Sequence, residues 1–106
     1  MKNSVTDYSV LMTVYKKEKP ENLDKSLSSL ENQSFFPNEI IIVEDGQLGN
    51  MLDNIIEQHK TQYKDVYKIV SLKENHGRGY ASKIGVKYIS NNWFARMDSD
   101  DISYSN

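Results

Sequence analysis

A chain of 106 residues, 38% hydrophobic and 26% charged, has the size and make-up of one folded domain rather than of a disordered or membrane-embedded segment. Thirteen basic against fifteen acidic residues leave a net charge of -2 and no basic block, which argues against bulk binding to nucleic acid. The absence of cysteine excludes disulfides, thiolate zinc sites and a cysteine nucleophile, and residues 1–7 contain no apolar stretch of the kind that opens a secretory signal.

Residues 8–15, from Tyr8 to Tyr15, form an apolar run that reads as a buried strand. Pro20 falls where a first helical turn tolerates proline, and Leu23, Leu27 and Leu30 follow at helical spacing. Residues 33–38 read as a connection. Ile40, Ile41, Ile42 and Val43 are β-branched throughout and predict a central strand that ends in Glu44, Asp45 and Gly46. Met51, Leu52, Ile55, Ile56, His59 and Tyr63 share one face of a second helix, with Asp53, Glu57 and Lys60 on the other. Residues 67–72 read as a third strand. The loop after it, residues 73–79, holds Gly77 and Gly79, which permit positive φ or a close backbone approach. A third helix carries Ala81, Ile84, Gly85, Tyr88 and Ile89, and residues 93–97 form a last short strand before Asp98, Ser99, Asp100 and Asp101. Tyr88, Trp93 and Phe94 are expected to fill core or sheet-covering positions.

Strands alternating with helices predict an α/β fold, one domain over residues 1–106, with a mostly parallel sheet and flanking helices. Right-handed crossovers would bring the C-terminal ends of the strands to one edge of the sheet, where such folds bind ligands. The polar residues collect at those ends: Thr13 to Lys17, Glu44 to Gly46, Asn75 to Gly79, and Asp98 to Asp101. Four loops are therefore expected to converge on one crevice.

Three carboxylates within four residues repel one another unless they are solvated or neutralised by a cation. Oxygen donors suit Mg²⁺ or Mn²⁺, which takes one or two protein carboxylates and keeps positions for phosphate oxygens, so Asp98 and Asp100 are the ligand candidates. A solvated strand terminus or a helix cap is the alternative reading of the same residues. Asp45 is either an acceptor for a ribose or base or a turn residue before Gly46, and Glu44 stands open between the same two roles. The loop at residues 75–79 could offer backbone N–H groups and the Arg78 guanidinium to phosphate, although its glycines have neither P-loop nor Rossmann spacing. His59, on an apolar helix face, reads as a satisfied packing residue; His76 has no second histidine beside it to make a metal set. Lys16, Lys17, Glu18 and Lys19 are a solvated loop or a point of attraction for a diphosphate.

Five segments in order resemble the N-terminal half of a family 2 glycosyltransferase: Ser9 to Tyr15, Ser26 to Gln33, Glu39 to Gly46, Asn75 to Gly77, and Ala95 to Asp101. The resemblance spans nearly the whole chain, lies in the succession and intervals of the five, and is nearest in flavour to bacterial exopolysaccharide or amylovoran-type transferases. It implies a GT-A, Rossmann-like nucleotide-binding fold. It also implies transfer of a sugar from a nucleoside-diphosphate sugar, first of all a UDP-sugar, to a hydroxyl of a sugar or glycolipid acceptor, with inversion, in polysaccharide or glycoconjugate synthesis. Carried over residue by residue, it implies that Thr13 and Tyr15 line the pocket near the base and ribose and that Asp45 hydrogen-bonds the base. Arg78 and Ser99 would join the nucleotide site, and Asp98-Ser99-Asp100 would be the DxD motif for Mn²⁺ or Mg²⁺. Where the family commonly has two aspartates followed by Gly-Ser, this chain has Glu44-Asp45-Gly46-Gln47.

Complete members continue past the DxD motif with an acceptor-binding half and a general base, which no residue here matches. The chain is accordingly expected to be truncated after that motif and, alone, to lack turnover. A cytoplasmic location, with the full-length parent at the cytoplasmic face of a membrane, is expected, as is self-association through an open sheet edge. Two competing readings are a folded interaction or regulatory module without nucleotide binding and an aspartate-phosphorylated receiver or phosphatase-like α/β domain with Asp45 or Asp98 as nucleophile.

Overall fold

Strands and helices alternate along the chain: β1 (Ser9–Val14), α1 (Pro20–Glu31), β2 (Glu39–Glu44), α2 (Asn50–Gln62), β3 (Tyr67–Ser71), α3 (Arg78–Val86) and β4 (Phe94–Asp98). This architecture comes from a computed structural model that describes residues 7–34 and 36–99. The strands pair in parallel in the order β3-β2-β1-β4. Right-handed crossovers explain which face each helix takes. The steps β1 to β2 to β3 run in one direction across the sheet and place α1 and α2 on one face, whereas β3 to β4 runs back and places α3 on the other.

Each face has its own core, in keeping with alternating side chains along a strand. Val10, Met12, Val14, Ile40 and Ile42 meet Leu23, Leu27 and Leu30 of α1 and Leu52 and Ile56 of α2. Leu11, Ile41 and Val43 point to the other face and meet Ala81 of α3. The inner strands β1 and β2 are thus buried on both sides, as the run of β-branched residues predicts. The α1 helix has no side-chain hydrogen bond from its N-cap residue, Lys19, so burial holds it in place. Its three leucines are almost wholly buried, and each is worth about 1.5–3 kcal/mol.

Several expectations about burial are corrected. Met51 is 70% exposed, because the buried stripe of α2 runs through Leu52, Ile56 and His59, and Met51 lies about 100° around the helix from Leu52. Tyr88, Trp93 and Phe94 are also exposed. The α3 helix ends at Val86, before Tyr88, and it packs over β1 and β2 rather than over β4, one of the two outer strands among the described residues. The glycine loop divides its roles: Gly77 takes φ +97°, whereas Gly79 has helical backbone within α3.

The edge opposite the strand C-termini is tied together by Glu39. Its buried carboxylate accepts from Ser9 Oγ at 2.6 Å on β1, from the Ser90 amide and hydroxyl at 2.9 Å each, and from Lys68 Nζ on β3. His59 links α1 and α2, with Nδ1 at 2.6 Å from Glu31 Oε2 and Nε2 at 2.6 Å from Asp24 Oδ1. It is the satisfied packing histidine its position predicts. Glu31 also accepts from the Tyr67 hydroxyl at 2.6 Å; burial, then that bond and the Glu31 charge, push the Tyr67 hydroxyl far up and keep it a donor. Among the described residues, no helix is long and apolar enough to cross a membrane.

Candidate functional site

The strand order reverses between β1 and β4, and open parallel sheets present their ligand crevice at such a reversal, beyond the C-terminal ends of the strands. A cleft of about 590 Å³ opens there. Its lining draws on all the polar loops singled out in the sequence: Thr13, Tyr15 and Lys17 after or at the end of β1, Asp45 after β2, Asn75, Gly77 and Arg78 before and at the start of α3, and Asp98 and Ser99 at the end of β4. Parallel pairing fixes the juxtaposition, since Thr13 stands in register with Val43 on one side and with Asp98 on the other. Thr13, Tyr15, Asp45, Arg78, Asp98 and Ser99 are therefore brought together. Asp100, the other proposed metal ligand, lies outside the described residues, as does Asp101.

Asp45 is only 4% exposed and its carboxylate is heavily used. Oδ1 accepts from the His76 amide at 2.8 Å; Oδ2 accepts from the Gly77 amide and from Asn75 Nδ2, both at 3.0 Å. The carboxylate thus sits on the N-terminal end of α3, where free N–H groups and the helix dipole favour an anion. This corrects one expectation: the amides of residues 76 and 77 are taken by the protein's own aspartate and are not offered to a phosphate. Gly46 makes the arrangement possible. Its φ of +90° suits glycine, and a Cβ there would lie 2.9 Å from the Asn75 backbone nitrogen. Glu44 is placed outside the cleft lining, where it accepts from Ser71 Oγ at 2.8 Å. Burial is the main cause raising its carboxyl above the usual range, with the charge of Asp53 adding to it against the Ser71 bond.

At the other wall, Arg78 Nη1 lies 3.0 Å from Asp98 Oδ1, with both side chains substantially exposed. The Ser99 hydroxyl donates to the Glu18 carboxylate, and the Ser99 carbonyl accepts from Ser26 Oγ at 2.6 Å. The sequence offered Glu18 only as part of the loop at residues 16–19 and gave Ser26 no role in the site. Ser26 did carry a signal, because it is a hydroxyl on the leucine face of α1. Of residues 16–19, Lys17 and Glu18 line the cleft. His76 packs against Tyr80 with the rings tilted by 47° and centroids 4.6 Å apart, and the described residues contain no group of three histidine, cysteine or acidic side chains placed to hold a metal. Asp98 suits a hard cation all the same. It is a half-exposed oxygen donor in the cleft, and Mg²⁺ or Mn²⁺ needs only one or two such carboxylates beside water and phosphate oxygens.

The sequence profile of Glycosyl transferase family 2 matches residues 9–106. The chain belongs to that family. It is 40% identical over 95 residues to the amylovoran biosynthesis glycosyltransferase AmsE of Erwinia amylovora, a match covering 90% of this chain and 35% of AmsE. It is 32% identical over 106 residues to the Escherichia coli UDP-Gal:alpha-D-GlcNAc-diphosphoundecaprenol beta-1,3-galactosyltransferase, covering 100% of this chain and 38% of the relative. The chain thus spans little more than a third of the length of these curated relatives. Among solved structures, Staphylococcus aureus TarS 1-349 in complex with UDP-GlcNAc superposes with a TM-score of 0.76 at 26% identity, over 91% of this chain and 27% of that one. A Pyrobaculum calidifontis mannosyltransferase in complex with GDP-Man and Mn²⁺ shares the fold, with a TM-score of 0.77 at 14% identity over 90% of this chain and 28% of that one. The fold is the GT-A nucleotide-binding fold of the family, as the five segments imply.

Proposed function

We propose that this chain is the donor-binding part of a glycosyltransferase, and that its cleft holds the nucleoside-diphosphate portion of an activated sugar whose sugar passes to an acceptor hydroxyl. The observation that carries the reading is the meeting of Thr13, Tyr15, Asp45, Arg78 and Asp98, from the ends of β1, β2 and β4 and the segment that follows β3, in one cleft at the reversal of strand order. A UDP-sugar is the proposed donor, supported by the UDP-sugars named for the E. coli relative and for TarS. A lipid-linked sugar is the proposed acceptor, on the strength of the diphosphoundecaprenol in the relative's name. Transfer is proposed for a protein of the relatives' length, at the cytoplasmic face of a membrane; the 106-residue chain would bind without turning over.

Thr13 and Tyr15 face the base and ribose. Asp45 acts mainly by holding residues 75–77 as the wall of the cleft, and the lone pair left over after its three hydrogen bonds is what a base N–H would meet. Arg78 is held by an exposed ion pair worth about 0–1 kcal/mol, so a diphosphate can draw it from Asp98 at small cost. Asp98 and Asp100 would hold Mn²⁺ or Mg²⁺, which when bound offsets negative charge on the departing nucleotide. Calorimetric titration with UDP, GDP and their sugar conjugates, with and without Mn²⁺, tests the proposal. Metal-dependent binding that an Asp98→Ala/Asp100→Ala variant loses is the expected result. A complete lack of binding, or binding indifferent to that variant, overturns it.

A further inference from the structure

We propose that Glu18 and Ser26 are positioning residues that hold Ser99 and thereby orient the adjoining carboxylate of Asp98, an inference that rests on the donor-site reading above. Among the described residues the β1–β4 ladder ends at the pairing of Thr13 with Asp98, and Ser99 lies just outside it. Ser99, the residue between the two aspartates, is held from α1 instead. Its hydroxyl donates to Glu18 and its carbonyl accepts from Ser26 Oγ at 2.6 Å, so side chain and peptide plane are both constrained. Ser99 is 8% exposed, whereas the Asp98 side chain beside it is about half exposed toward the cleft.

Both anchors are themselves fixed. Ser26 is wholly buried among leucines that pack on the sheet, where an unpaired hydroxyl would be costly, and its partner lies 73 residues away in sequence. Glu18 Oε2 accepts from the Lys19 amide at 2.9 Å and from Asn22 Nδ2 at 3.5 Å, which ties its carboxylate to the start of α1 while Oε1 serves Ser99. With Oε1 serving Ser99 and Oε2 tied to the start of α1, Glu18 is placed to orient Ser99. A polar group that orients ligand carboxylates in this manner typically sets metal affinity within a factor of about 10–100.

The test compares wild type, Glu18→Ala, Glu18→Gln, Ser26→Ala and Asp98→Ala, with UDP and Mn²⁺ as the probes and the melting temperature read in parallel. Glu18→Ala and Ser26→Ala are expected to weaken Mn²⁺-dependent UDP binding by about tenfold or more. Metal-free UDP affinity should stay close to wild type, and the melting temperature should fall without the chain unfolding at the assay temperature, since each variant leaves a buried Ser99 group unpaired. Glu18→Gln, which keeps an acceptor for Ser99, should recover most of the loss; equal loss in Glu18→Gln and Glu18→Ala overturns the hydrogen-bond account. If Asp98→Ala abolishes binding while Glu18→Ala and Ser26→Ala bind like wild type, the positioning role is overturned and the donor site stands. If Asp98→Ala also binds like wild type, the donor-site reading fails and the positioning role with it. Amide resonances of residues 98–100 in the metal-free chain give a readout independent of ligand. They should shift or broaden in Glu18→Ala and Ser26→Ala, and unchanged resonances overturn the proposal.

Discussion

Asp45 shows how one side chain can serve a site without facing its ligand with every donor and acceptor it has. Its three N–H partners belong to residues 75–77, so truncation leaves those donors to water or to nothing. Asp45→Ala is expected to cost about 1–3 kcal/mol in denaturant unfolding and to speed hydrogen exchange at the amides of His76 and Gly77. Gly46 is a second such position. With φ +90° and only 2.9 Å between an added Cβ and the Asn75 nitrogen, Gly46→Ala combines backbone strain with a clash. A loss of about 1–3 kcal/mol is expected, together with weakened UDP binding, because residues 75–77 must move away. The sequence marks both residues as candidates, since an acidic residue and a glycine after a buried strand are visible in the string. It could not show that the partner of Asp45 is a loop 30 residues further on, because that distance is closed only by the pairing of β2 with β3.

At the scale of elements, strands and helices were legible from periodicity, and the identity of the covered faces was not. The α3 helix lies so close to the sheet that a Cβ on Gly85 would collide with Leu11 and come within 2.7 Å of Val43 Cγ2. Gly85→Ala is therefore expected to destabilise the fold by about 1–3 kcal/mol despite alanine's better helix propensity, which is worth at most about 1 kcal/mol. Thermal or urea unfolding decides the sign. Burial of Trp93, Phe94 and Tyr88 was expected from their hydrophobicity, yet residue type does not say whether a helix will cover an outer strand. Met51 fails for a smaller reason, an error of about 100° in centring the apolar stripe of α2.

At the scale of the molecule, Glu39 joins β1, β3 and the segment after α3, so its charge state bears on the whole sheet. Burial alone would raise its carboxyl, but hydrogen bonds from Lys68, Ser9 and Ser90 outweigh it and hold it at about 2, below the usual 4.5. A depressed carboxyl stabilises the fold above pH 4.5, and that contribution is lost as pH falls from there through about 2. Glu44, shifted the other way, favours the fold at lower pH and opposes part of this loss. The melting temperature should fall between pH 4.5 and 2, and Glu39→Gln should flatten that dependence. Self-association through the outer strand β4 would appear as a concentration-dependent sedimentation coefficient that Trp93→Lys reduces. Alternating runs of two periodicities, with polar residues after each strand, were enough to specify a parallel α/β sheet and to nominate Thr13, Asp45, Arg78 and Asp98, because hydrophobic period and turn chemistry are local properties of the chain. Strand order, the capture of the residue 76–77 amides by Asp45, and the bracing of Ser99 by Glu18 and Ser26 were decided by folding, because each joins residues that lie far apart in sequence and meet only when helices and strands pack together.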